Sequence, residues 1–311
     1  MNNNLFIVNY SKYFLLLILL LQFNILSQDS LSGKQKVQIS IYLIDINNID
    51  TKNQTFQMEF YIWLKWIEGR SGKNIEYMNA SDTRNIFFDE WKEDSLQRIS
   101  AKVQGTFKSH FDVAKYPFDK QVLKIRISDY DWNYDSLIYE VEQSKIGISN
   151  EIFNDEWYIK LKEAKATKEY ISEDYFSVFE FSVEIERKSF SVFIKIILPL
   201  FIIMAIAFLN LFIPRKEIES GIGLGISSLL SIIALHFSIA SQLPDVNYAT
   251  KVDILFIVSF FYNLLLVIWV VFGFNLYVND KIIVINNVNK YAKTLIPITY
   301  FLITLYILVL F

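Results

Sequence analysis

Two hydrophobic patterns divide this chain. Up to about residue 187, apolar residues recur at every second position. Ile39-Ser-Ile41-Tyr-Leu43, Phe56-Gln-Met58-Glu-Phe60-Tyr-Ile62-Trp-Leu64, Leu123-Lys-Ile125-Arg-Ile127 and Phe179-Glu-Phe181-Ser-Val183-Glu-Ile185 all alternate this way. Period two puts one face of a strand in a core and the other in water. Several such runs at moderate spacing, with no helical period between them, predict an all-β, immunoglobulin-like antiparallel sandwich. Beyond Arg187 the alternation stops. Residues 196–214, 220–244, 254–279 and 294–311 carry no charge at all. Each run has about the 17–25 residues a helix needs to cross the hydrocarbon core. Four membrane helices are predicted, at about 191–213, 218–242, 252–278 and 292–311. Four buried soluble helices would leave no polar faces for water.

The start of the chain adds a direction. Lys12 precedes an apolar run from Phe14 to Leu21, and Ser27 is a small residue suited to cleavage. Residues 1–28 are expected to be a signal peptide, with a retained anchor as the alternative. Either places residues 29–190 outside the cytoplasm and 191–311 in the plasma (cytoplasmic) membrane. The inner connections then carry Arg215, Lys216, Lys281, Lys290 and Lys293, and the outer link between spans two and three carries only Lys251. That bias agrees with the positive-inside rule.

Composition narrows the chemistry. Hydrophobic residues make up 53% of the 311 positions and mean hydropathy is +0.29, as four spans require. With 30 basic and 33 acidic residues the net charge is −3, which gives no field for nucleic acid. There is no cysteine and there are two histidines, His110 and His236. Disulfide scaffolds, thiolate zinc sites and multi-histidine centres are excluded. No nucleophile elbow, zincin motif, P-loop or dinucleotide fingerprint is present, so no enzyme and no cofactor is expected.

The second span is unusually rich in small and hydroxyl residues. Glu219, Gly223, Ser227, Leu230, Ala234, Phe237 and Ser241 fall on one stripe at helical spacing. Ile222, Ile226, Leu229 and Ile233 lie off it, as does His236, which reads as an interhelical hydrogen-bonding residue. An acid at the inner end, then hydroxyls, then an apolar belt suits a pore lining. Gly221 and Gly225 equally form a small-x-x-x-small pair for helix packing. The helix alone fits both a conducting pore and a membrane-anchored binding receptor that does not conduct, in which it would only pack.

The run Tyr116-Pro117-Phe118-Asp119-x-Gln121 resembles the hallmark loop of the pentameric ligand-gated ion channels, the superfamily of nicotinic, glycine and GABA receptors. The two cysteines that bracket it in the eukaryotic branch would fall at Ser109 and Leu123, so the resemblance is to the bacterial, proton-gated branch. Ile41 to Ile44, Asp50, Thr55-Phe56, Trp66, Arg187, Pro199, and Leu243-Pro244 with Tyr248 also resemble family positions. Residues 68–104 match least and lack the family's Trp-x-Pro motif.

The resemblance implies a homopentamer around the second span, with a small-molecule or proton agonist, monovalent cations as permeant ions and membrane lipid around it. Glu219 would form an acidic ring at the inner mouth, which in relatives goes with cation selectivity. Gly221 stands where anion channels carry an Arg, although Gly223 to Leu230 looks like an anion-channel helix. Leu230 would be the gate. Asp119 and Arg187 would couple the two domains, with Asp50, Tyr116, Pro117, Phe118 and Pro244 around them. A surface ion pair of little consequence is the alternative. Tyr61, Trp63, Tyr130, Trp132, Tyr170, Tyr175 and Phe176 are the candidates for an aromatic site between subunits, where Tyr61, Tyr130, Tyr175 and Phe176 would suit an amine. Packing is the alternative for these rings. Asp129, Asp131, Asn133, Asp135 and Glu140 have the oxygen spacing of a calcium loop, but Tyr134 replaces the required glycine. They read as an ordinary acidic loop.

Overall fold

The computed structural model describes residues 33–310, with side chains left aside at 282–287 and 310. The expected signal segment, 1–28, lies outside the described residues. Ten strands come first: β1 (Gln35–Asp50), β2 (Thr55–Ile67), β3 (Ile75–Tyr77), β4 (Ala80–Glu93), β5 (Leu96–Lys108), β6 (Lys120–Asp129), β7 (Leu137–Val141), β8 (Gly147–Ile148), β9 (Trp157–Ile171) and β10 (Asp174–Arg187). One sheet has the order β4-β5-β2-β1-β7, with β8 also beside β1. The other has the order β3-β6-β10-β9.

The alternation seen in the sequence builds the layer between the sheets. Phe56, Met58, Phe60, Ile62, Leu64 and Trp66 of β2 are all buried, facing Leu123, Ile125 and Ile127 of β6 and Phe179, Phe181, Val183 and Ile185 of β10. In β1 the phase slips at a bulge between Leu43 and Asp45, and burial resumes at Ile46. Pairing is antiparallel throughout except for β7 and β8, which run parallel to β1, so the sandwich is mixed. β4 is an edge strand exposed along nearly its whole length, including Ile86, Phe87 and Phe88.

β10 leads directly into the helices: α1 (Ser189–Leu211), α2 (Ile218–Ala240), α3 (Lys251–Val278) and α4 (Ile282–Leu310). The first three are long and apolar enough to cross a membrane over their full length, and α4 is so over Val288–Val309. Its polar start, Asn286 to Lys290, makes α4 longer than its apolar run. After a first α-helical turn at Ser189–Val192, α1 becomes π-helical over Phe193–Ile197 just ahead of Pro199, whose missing N–H interrupts the α ladder. A Thr250–Asp253 capping box starts α3.

Lipid offers no hydrophobic drive between helices, so packing and internal hydrogen bonds hold them together. Tyr300 of α4 is the centre of that contact. Its ring meets Phe201 and Phe208 of α1 at 6.0 and 5.5 Å and Tyr262 of α3 at 5.3 Å. Its hydroxyl lies 2.9 Å from Ser259 Oγ of α3.

Candidate functional site

α2 has two opposed faces. Gly221, Gly225, Ser228, Ile232 and Ile239 are buried. A methyl group at Gly221 would sit 2.7 Å from Val270 Cγ1, and one at Gly225 would overlap Val267. The two glycines therefore let α2 approach α3 closely. Glu219, Gly223, Ser227, Leu230, Ala234, Phe237 and Ser241 all lie exposed on the other side. Gly223 has nothing within 4 Å of where its Cβ would be. Ile226, expected off this stripe, is exposed too, because it lies between Gly223 and Leu230 at helical spacing. Glu219 sits in the first turn of α2, where the positive end of the helix dipole favours a carboxylate. His236 points from α2 to α3. Its Nε2 lies 3.3 Å from Asp253 Oδ1, and its ring is 4.9 Å from that of Phe256.

Arg187 and Asp119 meet where the sandwich joins α1. Arg187 Nε donates to Asp119 Oδ1 at 2.7 Å, with the guanidinium and carboxylate side chains 8% and 2% exposed. Those values remove the surface-pair alternative. Gln121 Nε2 donates to the other carboxylate oxygen at 2.8 Å. The guanidinium lies over the Trp157 and Tyr116 rings at 4.1 and 4.9 Å. Burial pushes the Tyr116 phenol above its ordinary value. A bidentate pair buried among rings fixes the orientation of the strand that enters the membrane.

Asp50 does not join that pair. Its carboxylate accepts from the backbone and side chain of Asn53 at 2.9 and 2.7 Å, and the backbone N–H holds its pKa below the usual value. The β1–β2 turn that carries it reaches α2 through another residue: Lys52 Nζ donates to Ser241 O at 2.8 Å. The segment after β5 hydrogen-bonds to α1, to α3 and to the link between α2 and α3. Ser189 Oγ donates to Pro117 O at 2.9 Å, and Lys251 N–H donates to Ala114 O at 3.0 Å. Tyr248 Oη donates to Asp112 Oδ1 at 3.0 Å while accepting from Val113 N–H. The Ala114 N–H first, then Tyr248, lowers the Asp112 pKa. Phe118 is half exposed beneath Lys251, and Pro244 is buried just after α2.

The aromatic candidates form separate groups within one chain. Tyr61 and Trp63 stack at 5.7 Å on β2, flanked by Lys102 and Lys145. Tyr170 and Tyr175 pair across the β9–β10 hairpin at 5.2 Å. Lys168 Nζ lies 4.3 Å from the Tyr175 ring and 4.7 Å from that of Tyr134, so the chain's own ammonium already faces these rings. Tyr130 is largely exposed, and Phe176 is half-buried on β10. Trp132 packs on the sandwich core beneath Arg70 rather than in the tyrosine group.

This layout agrees with the relatives. The chain is 25% identical over 251 residues to a proton-gated ion channel of Gloeobacter violaceus, covering 73% of this chain and 69% of that protein. It is 25% identical over 193 residues to acetylcholine receptor subunit alpha-type des-2 of Caenorhabditis elegans, covering 58% and 35%. It is also 22% identical over 242 residues to the worm's proton-gated ion channel subunit pbo-6, covering 68% and 57%. The chain is a homologue of the ligand-gated ion channels. No family profile matches it. It spans well under two thirds of either nematode relative. These relatives are membrane channels and not enzymes, in keeping with four apolar helices behind a β-rich domain.

The acidic loop of this channel homologue is scattered over other partners. Asp129 Oδ1 accepts from the N–H groups of Asp131 and Trp132, and burial raises the Asp129 pKa. Asp131 accepts from Asn74, Asn133 donates to Asp174, and Asp135 and Glu140 pair with Lys34 and Lys36. Among the described residues no group of three or more His, Cys, Asp or Glu converges for a metal. Lys52, Asp112, Ser189 and Lys251 escaped sequence reasoning. Each is an ordinary polar residue whose partner is remote in the chain, and no local pattern marks such a pairing.

Proposed function

We propose that the chain forms a cation-selective, ligand-gated pore as a homopentamer around α2. The observation that carries this is the composition of exposed helix faces. α1 and α3 turn Phe, Ile and Leu outward over most of their length, as lipid-facing helices do. α2 turns out Glu219, Gly223, Ser227, Ser231, Ser238 and Ser241. Hydroxyls and a carboxylate on an exposed membrane face call for water beside them. Five copies around an axis supply it. Glu219 would then form the inner acidic ring, Leu230 the dewetting belt, and Ser227 the hydrated stretch between them. The Asp119–Arg187 pair, Lys52 and Tyr248 would pass movement of the sandwich to α1, α2 and α3.

Protons are the favoured stimulus. Two relatives are named as proton-gated channels. An amine is the weaker candidate, because Lys168 already faces Tyr134 and Tyr175. An anion-selective pore is the second reading, on the resemblance of Gly223 to Leu230 to anion-channel helices.

Purified protein in planar bilayers under a salt gradient tests the proposal. Acidifying the outer side should evoke current that reverses near the cation equilibrium potential. A panel of primary amines follows as the second stimulus. Reversal near the anion potential overturns the selectivity. Pentamers that stay silent to both stimuli, and stay silent with Leu230→Ser, overturn the pore.

A further inference from the structure

β6 starts beside the membrane helices and ends at Asp129, at the far end of the sandwich. Asp129 shares the core-facing parity of Leu123, Ile125 and Ile127 and is 2% exposed. Its Oδ1 accepts from the N–H groups of Asp131 and Trp132, both at 2.9 Å. Its Oδ2 accepts no hydrogen bond among the described residues. No Lys, Arg or His pairs with the carboxylate among the described residues.

The elements around Asp129 supply no positive charge. β7 brings Tyr139, whose buried Oη is likewise without a hydrogen bond. β3 brings Tyr77. Burial pushes both phenols above their ordinary value, so they stay neutral, and the charge of Asp129 raises Tyr139 further. β10 brings the hydroxyl of Ser177, which accepts from Tyr139 N–H at 2.9 Å. The loop after β6 brings Asp131, a like charge that opposes ionisation of Asp129. Asp135, Glu140 and Asp174 are held by Lys34, Lys36 and Asn133. A carboxylate buried without a cation is costly, and a proton removes that cost. The two N–H donors favour the charged form, but burial outweighs them.

A proton there also changes what Asp129 holds. Hydrogen bonds to an ionised carboxylate are roughly twice as strong as those between neutral groups. Oδ1 anchors the base of the loop at Asp131 and Trp132. The same loop is tied to the β9–β10 hairpin, because Asn133 donates to Asp174 at 2.7 Å and Tyr134 N–H donates to Tyr175 O at 2.6 Å.

We propose that Asp129 is a proton-binding site of the sandwich: acid neutralises its buried carboxyl, weakens its hold on the N–H groups of Asp131 and Trp132, and loosens the loop that reaches the β9–β10 hairpin. This deepens the reading of protons as the stimulus. The link to current rests on that reading, whereas the binding of the proton does not.

Difference infrared spectroscopy of the full-length protein in detergent provides the test, with pH stepped from about 8 to about 4, the range above an ordinary Asp. Acidification should bring up the C=O stretch of a carboxylic acid shielded from water. Asp129→Asn and Asp129→Ser should both lose that band. Ser keeps an oxygen acceptor for the loop N–H groups, so a variant remains if Asn does not fold. A raised carboxyl costs stability at neutral pH, and the cost vanishes as pH falls below the ordinary carboxylate value. Asp129→Asn should therefore melt above wild type at neutral pH, with the gap closing in acid. A wild-type protein without the band, or a band that persists in either folded variant, overturns the proposal. A band that depends on Asp129 in a channel whose current ignores acid keeps the proton site and overturns protons as the stimulus.

Discussion

α2 and α3 are both long helices whose charges are confined to their first turns, yet they treat polar residues in opposite ways. α3 hides Ser259 and Asn263 inside and turns Ile257, Phe261, Leu264 and Ile268 outward. α2 buries Gly221, Gly225, Ser228 and Ile232 and turns Glu219, Ser227, Ser231 and Ser238 outward. In a soluble domain an exposed serine carries no information. In a membrane helix, exposure means either lipid or water, and hydroxyls and carboxylates are costly against lipid. The contrast between these two helices therefore says more about function than the burial of either one.

The largest effect should come from swapping the two faces of α2. Gly225→Leu has to displace Val267, so overpacking should cost about 1–3 kcal/mol or prevent assembly, read by thermal unfolding in detergent. Leucine at the exposed Ser227 should leave the unfolding temperature nearly unchanged, within the roughly 0.5 kcal/mol of a surface change. Equal destabilisation at both sites would erase the distinction between the faces.

Leu230→Ser comes next and sharpens the contrast on the exposed side. It should leave the fold intact while producing current without any stimulus. A variant that stays closed and keeps its sensitivity would place the gate elsewhere. Glu219→Ala should have a smaller effect, lowering cation preference. An unchanged reversal potential in a salt gradient would remove the acidic ring from selectivity.

The smallest effect belongs to Asp112, where the sandwich touches the link before α3. Its pKa is lowered in the folded protein, so its contribution is present above the ordinary carboxylate range. That contribution is lost as pH falls through the lowered value. Asp112→Asn should remove this part of the acid sensitivity, leaving a flatter stability–pH curve at the acid end. Identical curves for the two proteins would show the contact to be inert.

Much of this layout was legible in the residue pattern. The alternation of β2 and β10 is a local property, because each side chain chooses its face by position parity alone. The α2 stripe is equally local, because helical spacing alone places Glu219, Ser227 and Leu230 together. Ile226 was misplaced because a stripe drawn as one line ignores its flank. Trp132 was grouped with the tyrosines because neighbours along a loop need not share a direction.

Composition and period alone therefore establish a β-sandwich, four membrane helices and one helix with Glu219, Ser227 and Ser241 along a single stripe. The fold decided which contacts join the parts. Asp119 meets Arg187 under two rings, Lys52 reaches Ser241 from 189 positions away, and Tyr248 finds Asp112. It also decided that Lys168, rather than open space, faces the tyrosine pair. The reason is physical. Periodicity is imposed by backbone geometry one residue at a time, whereas these pairings exist only once the sandwich and helices stand against each other.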